Sequence, residues 1–207
     1  MQVEELSLRD DGWNDAVKRA AFVFLDGASA SGKSTFKNAL LSDEPLGLAY
    51  AKRYTTRDPR PDDVQNGDYI FISRFEFEQR LAAGDLIEHR DFLFGMSYGI
   101  GKSVLADAAK KSTRVLGLMN LGGVSAVKRA IPKAACILIE APVEDIEMRL
   151  RARSLHMEEQ IRERLRNASA AHEIRGEYDF VVENRNGYAA DAYAALRKFL
   201  VERFGWF

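Results

Sequence analysis

Gly27-Ala28-Ser29-Ala30-Ser31-Gly32-Lys33-Ser34-Thr35 fits G-x-x-x-x-G-K-[ST], the pattern of a loop whose backbone amides cradle phosphate oxygens. Its surroundings decide between that reading and a Ser/Gly turn that merely precedes a lysine. Upstream, Ala21–Leu25 is a short, wholly apolar run, the signature of a buried parallel strand. Downstream, Phe36, Ala39, Leu40 and Leu41 fall at helical spacing. Strand, glycine-bearing loop and helix in that order are the context the motif requires. Glycines let amide N–H groups turn toward an anion, and the following helix aims its positive end at the same place. Lys33 brings a mobile charge to the outer phosphates of a nucleotide, and the Ser34 hydroxyl is a candidate Mg²⁺ ligand.

Working outward, strand patterns fall at Leu48–Arg53, Asp68–Ser73, Leu86–Asp91, Arg114–Met119, Ala135–Glu140 and Phe180–Glu183. Helical patterns fall at Arg74–Ala83, Lys102–Lys111, Val124–Ala130, Val143–Arg153, Met157–Ile174 and Tyr188–Phe204. Their alternation predicts an α/β fold with a parallel sheet flanked by helices. Three strands crowd into 48–91, which predicts a small antiparallel insertion for an acceptor, spanning about 48–99. Residues 1–20 form an extension ahead of a single domain, 21–207. In it Trp13, Val17 and Ala20 suit one face of a short helix, although a frayed leader on the domain edge is the plainer expectation.

Composition limits the partners. The net charge is −1 over 207 residues, so no overall field draws the chain to nucleic acid or membrane. No apolar stretch is long enough to span a bilayer, and the acidic Met1–Asp11 segment does not suit a signal peptide. The single cysteine, Cys136, lies in an apolar run and reads as a core residue. A reducing, cytoplasmic setting is the default for such a chain. His89, His156 and His172 stand in charged surroundings without metal-ligand spacing and read as surface residues.

Two basic clusters accompany the loop. Arg53, Arg57 and Arg60 lie within eight residues, in a segment stiffened by Pro59 and Pro61. Fixed guanidinium forks suit bidentate capture of a phosphate. The second cluster is Arg149-Leu150-Arg151-Ala152-Arg153, followed by Glu158, Glu159, Arg162, Arg164 and Arg166. It reads either as a phosphate-clamping lid at about 149–166 or as an exposed helix laced by pairs such as Glu158–Arg162, and spacing alone does not choose.

Together these motifs resemble a guanylate kinase from about Ala21 to Asn184. The loop is matched at Gly27–Thr35 and the T-T-R-x-P-R-P segment at Thr55–Pro61. The aspartate–tyrosine strand is matched at Asp68-Tyr69, the acidic residue at Glu88 and the Y-G turn at Tyr98-Gly99. The lid is matched by Arg149, Arg153, Glu158, Glu159, Ile161, Arg164 and Leu165, and the Y-D-x-V-I-x-N ending by Tyr178, Asp179 and Asn184. The resemblance implies ATP held by Gly27 to Thr35 with Mg²⁺ at Ser34, and a clamp of Arg149, Arg153 and Arg164 around the phosphates. It also implies that Arg57, Arg60, Tyr69 and Tyr98 hold an acceptor phosphate, that Glu88 accepts hydrogen bonds from a guanine edge, and that Asn184 lies near adenine.

The chain departs from the pattern at three points. Arg53 stands where the family has a serine, Ile100 where it has a serine or threonine, and Leu118 and Asn120 where it has D-x-D. Asparagine keeps a carbonyl acceptor without the charge, and isoleucine offers no hydrogen bond. At Arg53-Tyr54, Tyr98-Gly99-Ile100-Gly101 and Asn120 the chain looks like a ribose 1,5-bisphosphate phosphokinase instead. The expected reaction is therefore Mg²⁺-ATP-dependent transfer to a small phosphomonoester, with GMP first and a sugar phosphate as the alternative. A non-catalytic, guanylate-kinase-like binding module is the alternative of another class.

Overall fold

The computed structural model describes residues 12–60, 63, 67–91, 95–152 and 158–206. A five-stranded sheet forms the centre. Its strands are β1 (Ala21–Asp26), β2 (Ala49–Ala51), β7 (Arg114–Leu118), β8 (Ala135–Glu140) and β9 (Phe180–Glu183), in the order β2-β7-β1-β8-β9. Every pairing in it is parallel. Strand β1 runs between β7 and β8, with Phe24 opposite Gly117 on one side and Cys136 on the other.

Two-residue periodicity divides the core. Phe22 and Phe24 of β1 point into one cluster with Leu105, Val115, Val127 and Leu138. Val23 and Leu25 point into the other with Leu40, Leu116, Ile137, Leu196 and Leu200. The first face is covered by α1 (Trp13–Arg19), α4 (Lys102–Lys111) and α5 (Val124–Ala130). The second is covered by α2 (Lys33–Ser42) and α8 (Ala189–Phe204). Cys136 is buried as expected, and burial pushes its thiol up to about 12. Trp13 packs on Phe22 and Ala16 is buried, so the described part of the extension is a docked helix and not a frayed leader. Residues 1–11 lie outside the described residues.

A second sheet of four strands carries the insertion, in the order β4-β3-β6-β5. Its strands are β3 (Arg53–Thr55), β4 (Tyr69–Phe71), β5 (Leu86–Asp91) and β6 (Ser97–Gly101). It differs from expectation in three ways. The strand expected over 48–53 is two strands: Ala51 closes its pairing in the central sheet and Arg53 opens the second sheet. The sheet is mixed, since β3 and β4 run parallel while β6 is antiparallel to β3 and β5. Tyr98-Gly99 is strand rather than turn. Its glycines carry no β-propensity, and pairing on both sides holds β6 extended. Between β4 and β5, α3 (Arg74–Ala82) starts at a capping box. There the Ser73 hydroxyl accepts from the Glu76 amide and the Glu76 carboxylate accepts from the Ser73 amide.

A buried ion pair joins α2 to the edge of the second sheet. Lys37 of α2 donates to Asp68, just before β4, and both side chains are over nine-tenths buried. Helices α6 (Val143–Ala152) and α7 (Glu158–Glu173) pack on each other above the loop. Their apolar seam is formed by Ile146, Leu150 and Ile161 against Ala28 and Ala30.

Candidate active site

The loop Gly27–Gly32 joins β1 to α2, so every backbone constraint in it is set by the strand behind and the helix ahead. Gly27 sits at φ +146, where a Cβ would lie 2.3 Å from the Ile139 carbonyl oxygen; no side chain fits there. Ala30 takes a left-handed φ of 64, an uncommon and strained conformation for a residue with a Cβ. Lys33 opens α2 and folds back to donate to the Gly27 and Ala28 carbonyls, the latter at 2.9 Å. Ser34 and Thr35 are exposed on the first turn. The result is an inward-curled backbone at a helix N-terminus with a lysine laid across it, which is the geometry of an anion cradle.

Arg149 and Arg164 converge on this cradle. Arg149 donates to the Ala30 carbonyl at 3.2 Å and the Asn184 carbonyl at 2.9 Å, and also to the Asn186 side chain at 2.7 Å. Arg164 reaches the Ser29 hydroxyl at 2.5 Å. The lid reading of this cluster therefore has the better support. The laced-helix alternative is met by a different pair, since Arg151 forks onto Glu158 at 2.8 Å on the outer surface. Asn184 is buried and donates to the Ser31 carbonyl at 2.7 Å, so it braces the loop from behind. Arg153, Pro61 and His156 lie outside the described residues. His89 and His172 are exposed.

Across from the loop, the second sheet gathers the acceptor candidates. Arg57 lies over the Tyr69 ring at 4.9 Å, and Tyr69 meets Tyr98 edge-on at 5.8 Å. Arg57 also forks onto Asp63 through two bonds of 2.6 Å, and the Arg60 amide donates to the same carboxylate at 2.5 Å. The guanidinium beside Asp63 holds its carboxyl below the usual range. Asp63 thus fills the bidentate geometry that a phosphate takes, and sequence reading missed it. The only signal was an acid six residues beyond Arg57.

Deeper in, Asn120 bridges the two unusual positions. Its carbonyl accepts from Arg53, and its amide donates to Glu88 at 2.7 Å. All three are at least nine-tenths buried. Burial pushes the Glu88 carboxyl up, while the Arg53 charge and the Asn120 amide pull it back toward ionisation. Ile100 requires a correction. It has no accessible surface and packs with Phe24, Ala51 and Leu105, so it lies in the core beneath the site and not on an acceptor.

Asp26 is a second residue the pattern did not single out. It ends an apolar strand, and its carboxylate accepts from the Gly27 amide, the Gly122 amide at 3.2 Å and the Tyr178 hydroxyl. Burial pushes it above the ordinary carboxyl range, against the pull of Tyr178 and Lys33. With both oxygens engaged, it braces the loop against the 120–123 turn. Among the described residues no cluster of carboxylates, histidines or cysteines forms a metal site.

A glycine-cornered cradle, a lysine across it, two lid arginines and a facing basic pocket define a P-loop phosphotransferase. The comparisons name the family within that class. The guanylate kinase family model matches residues 19–203. The guanylate kinase of Sus scrofa is 35% identical over 185 residues, covering 87% of this chain and 91% of its own length. That of Mycobacterium leprae is 35% identical over 175 residues, covering 84% and 83%. That of Trichormus variabilis is 34% identical over 184 residues, covering 88% and 89%. The crystal structure of guanylate kinase from Anaplasma phagocytophilum superposes with a TM-score of 0.65, covering 89% of this chain and 86% of that one, at 24% identity, and so corroborates the fold. The chain belongs to the guanylate kinase family. No helix among the described residues is long and apolar enough to cross a membrane.

Proposed function

We propose that this chain transfers the γ-phosphoryl group of ATP to GMP, yielding ADP and GDP. The observation that carries the acceptor's identity is Glu88. It is a buried carboxylate in the second sheet, and its Oε2 has no hydrogen-bond partner among the described residues. A guanine edge offers two N–H donors to such a group. A sugar bisphosphate offers hydroxyl donors but no coplanar pair of N–H groups, and it brings a second phosphate whose charge a buried carboxylate repels. Arg53 is the residue that favours a sugar phosphate, but its guanidinium is tied to Asn120 beside Glu88. The binding-module alternative is disfavoured by the complete loop and by the two lid arginines that reach it.

In this reading, Gly27 to Thr35 wrap the ATP phosphates with Lys33 on the outer pair, and Asn184 steadies the loop. Mg²⁺ fits the donor set: it prefers a few protein oxygens plus phosphates and water, and Ser34 supplies an exposed hydroxyl at the right helix turn. The ion would neutralise charge on the phosphates. Arg57 and Arg60 receive the acceptor phosphate with Tyr69 and Tyr98, so Arg57 is shared with or released by Asp63. That phosphate is already an anionic nucleophile at neutral pH, and no general base is needed. Arg149, Arg164 and Arg153 would supply the remaining positive charge and exclude water as transfer proceeds. The lone buried thiol suits a cytoplasmic setting.

The test is ADP release from Mg²⁺-ATP with GMP and with ribose 1,5-bisphosphate in parallel. Turnover of GMP is expected. Turnover of the sugar phosphate alone, or of neither, overturns the reading. A steric probe gives a second check. A Cβ at Gly123 would lie 2.9 Å from Glu88 Cγ and 3.0 Å from the Asn120 carbonyl oxygen. Overpacking of this kind costs about 1–3 kcal/mol, so Gly123→Ala is expected to raise KM for GMP about tenfold. KM for ATP should move far less in the same steady-state measurements, because the added Cβ meets Glu88 and Asn120 and no atom of the cradle.

A further inference from the structure

Helices α6 and α7 close on the nucleotide loop at one end and leave a gap at the other. Near the loop, Ile146, Leu150 and Ile161 fill the space between them. Toward the end of α7 the chain reads Ala168-Ser169-Ala170-Ala171, and side chains this small do not reach across to the end of β8. The gap is a cavity of about 340 Å³, walled by Ile139, Pro142, Val143, Ile146, Ala168 and Ala171. A volume of that order suits a small molecule. Two polar side chains that line it carry an atom without a hydrogen-bond partner among the described residues. One is the Ser31 hydroxyl, on a side chain with no accessible surface. The other is Glu140 Oε1, at the end of β8, which His172 Nδ1 approaches at 3.5 Å without a hydrogen bond. Arg175 Nη2 stands 3.8 Å from the other oxygen of the same carboxylate. Leaving two such groups unpaired is costly, so the cavity points to a ligand that meets them.

We propose that this cavity is an effector site for a small, flat, uncharged molecule of the amide or lactam class, and that its occupation weakens ATP binding. The ligand class follows from the lining. With His172 neutral the formal charges cancel, Glu140 and Glu183 against Arg175 and Arg185, and Arg185 is already paired with Glu183 at 2.8 Å. No net field therefore selects an ion. The apolar walls favour a compact hydrophobic body. The ligand's N–H answers Glu140, and its carbonyl oxygen accepts from Ser31. The site is separate from the ATP contacts. Of the loop only Ala28 and Ser31 line it, whereas Lys33, Ser34, Arg149, Arg164 and Asn184 do not. It is nevertheless joined to them through the helices. Helix α6 carries Arg149 and α7 carries Arg164, which donate to the Ala30 carbonyl and the Ser29 hydroxyl. A ligand wedged between these helices and β8 holds both arginines on the loop rather than on the phosphates. Its preference for the nucleotide-free arrangement then appears as a loss of ATP affinity. The inference rests on the ATP site alone and not on the identity of the acceptor.

The experiment uses the full chain and two probes, benzamide and methyl benzoate. Both have a flat apolar body and a carbonyl oxygen, and only benzamide has N–H donors. Amide-resolved NMR titration locates the binding, and calorimetry gives the dissociation constant of Mg²⁺-ATP with and without saturating benzamide. Benzamide is expected to shift the amides of Ile146, Ala168 and Ala171 saturably. It should bind about 10- to 100-fold more tightly than methyl benzoate, the effect of one hydrogen bond to a charged group. Glu140→Met should erase that difference between the probes. Glu140→Gln keeps a carbonyl acceptor, should retain part of the difference, and carries the test if Glu140→Met does not fold. Ser169→Phe, at an exposed position that lines the cavity, should abolish binding of both probes. Saturating benzamide should weaken Mg²⁺-ATP binding about fivefold or more in the wild-type chain and leave it unmoved in Ser169→Phe. No saturable shift at these amides, equal binding of the two probes, or shifts centred on Tyr69 and Glu88 instead would overturn the site. Saturable binding that leaves Mg²⁺-ATP affinity unchanged overturns the effector role. A chain that binds no Mg²⁺-ATP even without a probe overturns the nucleotide reading first and the effector role with it.

Discussion

Lys33→Ala is expected to lower kcat by about 10³-fold or more while the chain stays folded, with a modest fall in thermal midpoint because buried Asp26 loses a nearby positive charge. Removing one well-placed donor from a charge-stabilising site costs about 10²–10³ in rate, and a lysine on migrating phosphates removes a full charge as well. The structural cost is small. Lys33 is only partly buried, and it donates to the loop carbonyls of Gly27 and Ala28. Steady-state kinetics with saturating ATP and a melting curve check both halves. Activity within tenfold of wild type would remove Lys33 from the phosphate-transfer role.

The second large effect concerns stability. Lys37→Ala leaves Asp68 as a buried carboxylate without its partner, in a place where both side chains exclude water. Breaking a buried pair from one side costs about 3–5 kcal/mol, whereas replacing both partners with apolar groups of similar size is often neutral. Urea unfolding should therefore show a loss of about 3 kcal/mol or more for Lys37→Ala and recovery of most of it in Lys37→Met with Asp68→Leu. The single variant should also loosen the second sheet against α2, because this contact ties the helix of the nucleotide loop to the strand of the acceptor pocket. A loss below about 1 kcal/mol would mean that solvent reaches the pair.

These two lysines lie four residues apart on one helix and could not be assigned alike from sequence. Lys33 was legible because its role is local: strand, loop and helix are consecutive, and the motif carries its own geometry. The central strands Ala135–Glu140 and Phe180–Glu183 were legible for a related reason. Strands covered on both faces are continuous apolar runs, and the pattern has fixed ends. Lys37 and Asp68 are 31 residues apart, and no local pattern announces that one will face the other.

The acceptor side shows the same division in sharper form. The sequence by itself determined that a nucleotide loop follows the first strand and that the core alternates strand with helix, and its resemblance to the family pointed to Arg57, Tyr69, Glu88 and Tyr98 as one candidate region. Only tertiary structure decided how that region is wired. It split 48–53 between two sheets, which placed Arg53 in the second sheet beside Glu88 and Asn120 while Ala51 stayed in the core. It made Tyr98-Gly99 a strand by pairing it on both sides. It buried Ile100 beneath the site and brought Asn120, from beyond the end of β7, between Arg53 and Glu88. The physical reason is range. Periodicity, glycine geometry and helix termini act within a few residues, so they are written into neighbouring letters. Burial, charge pairing and hydrogen-bond matching act between segments that meet only after the chain has folded.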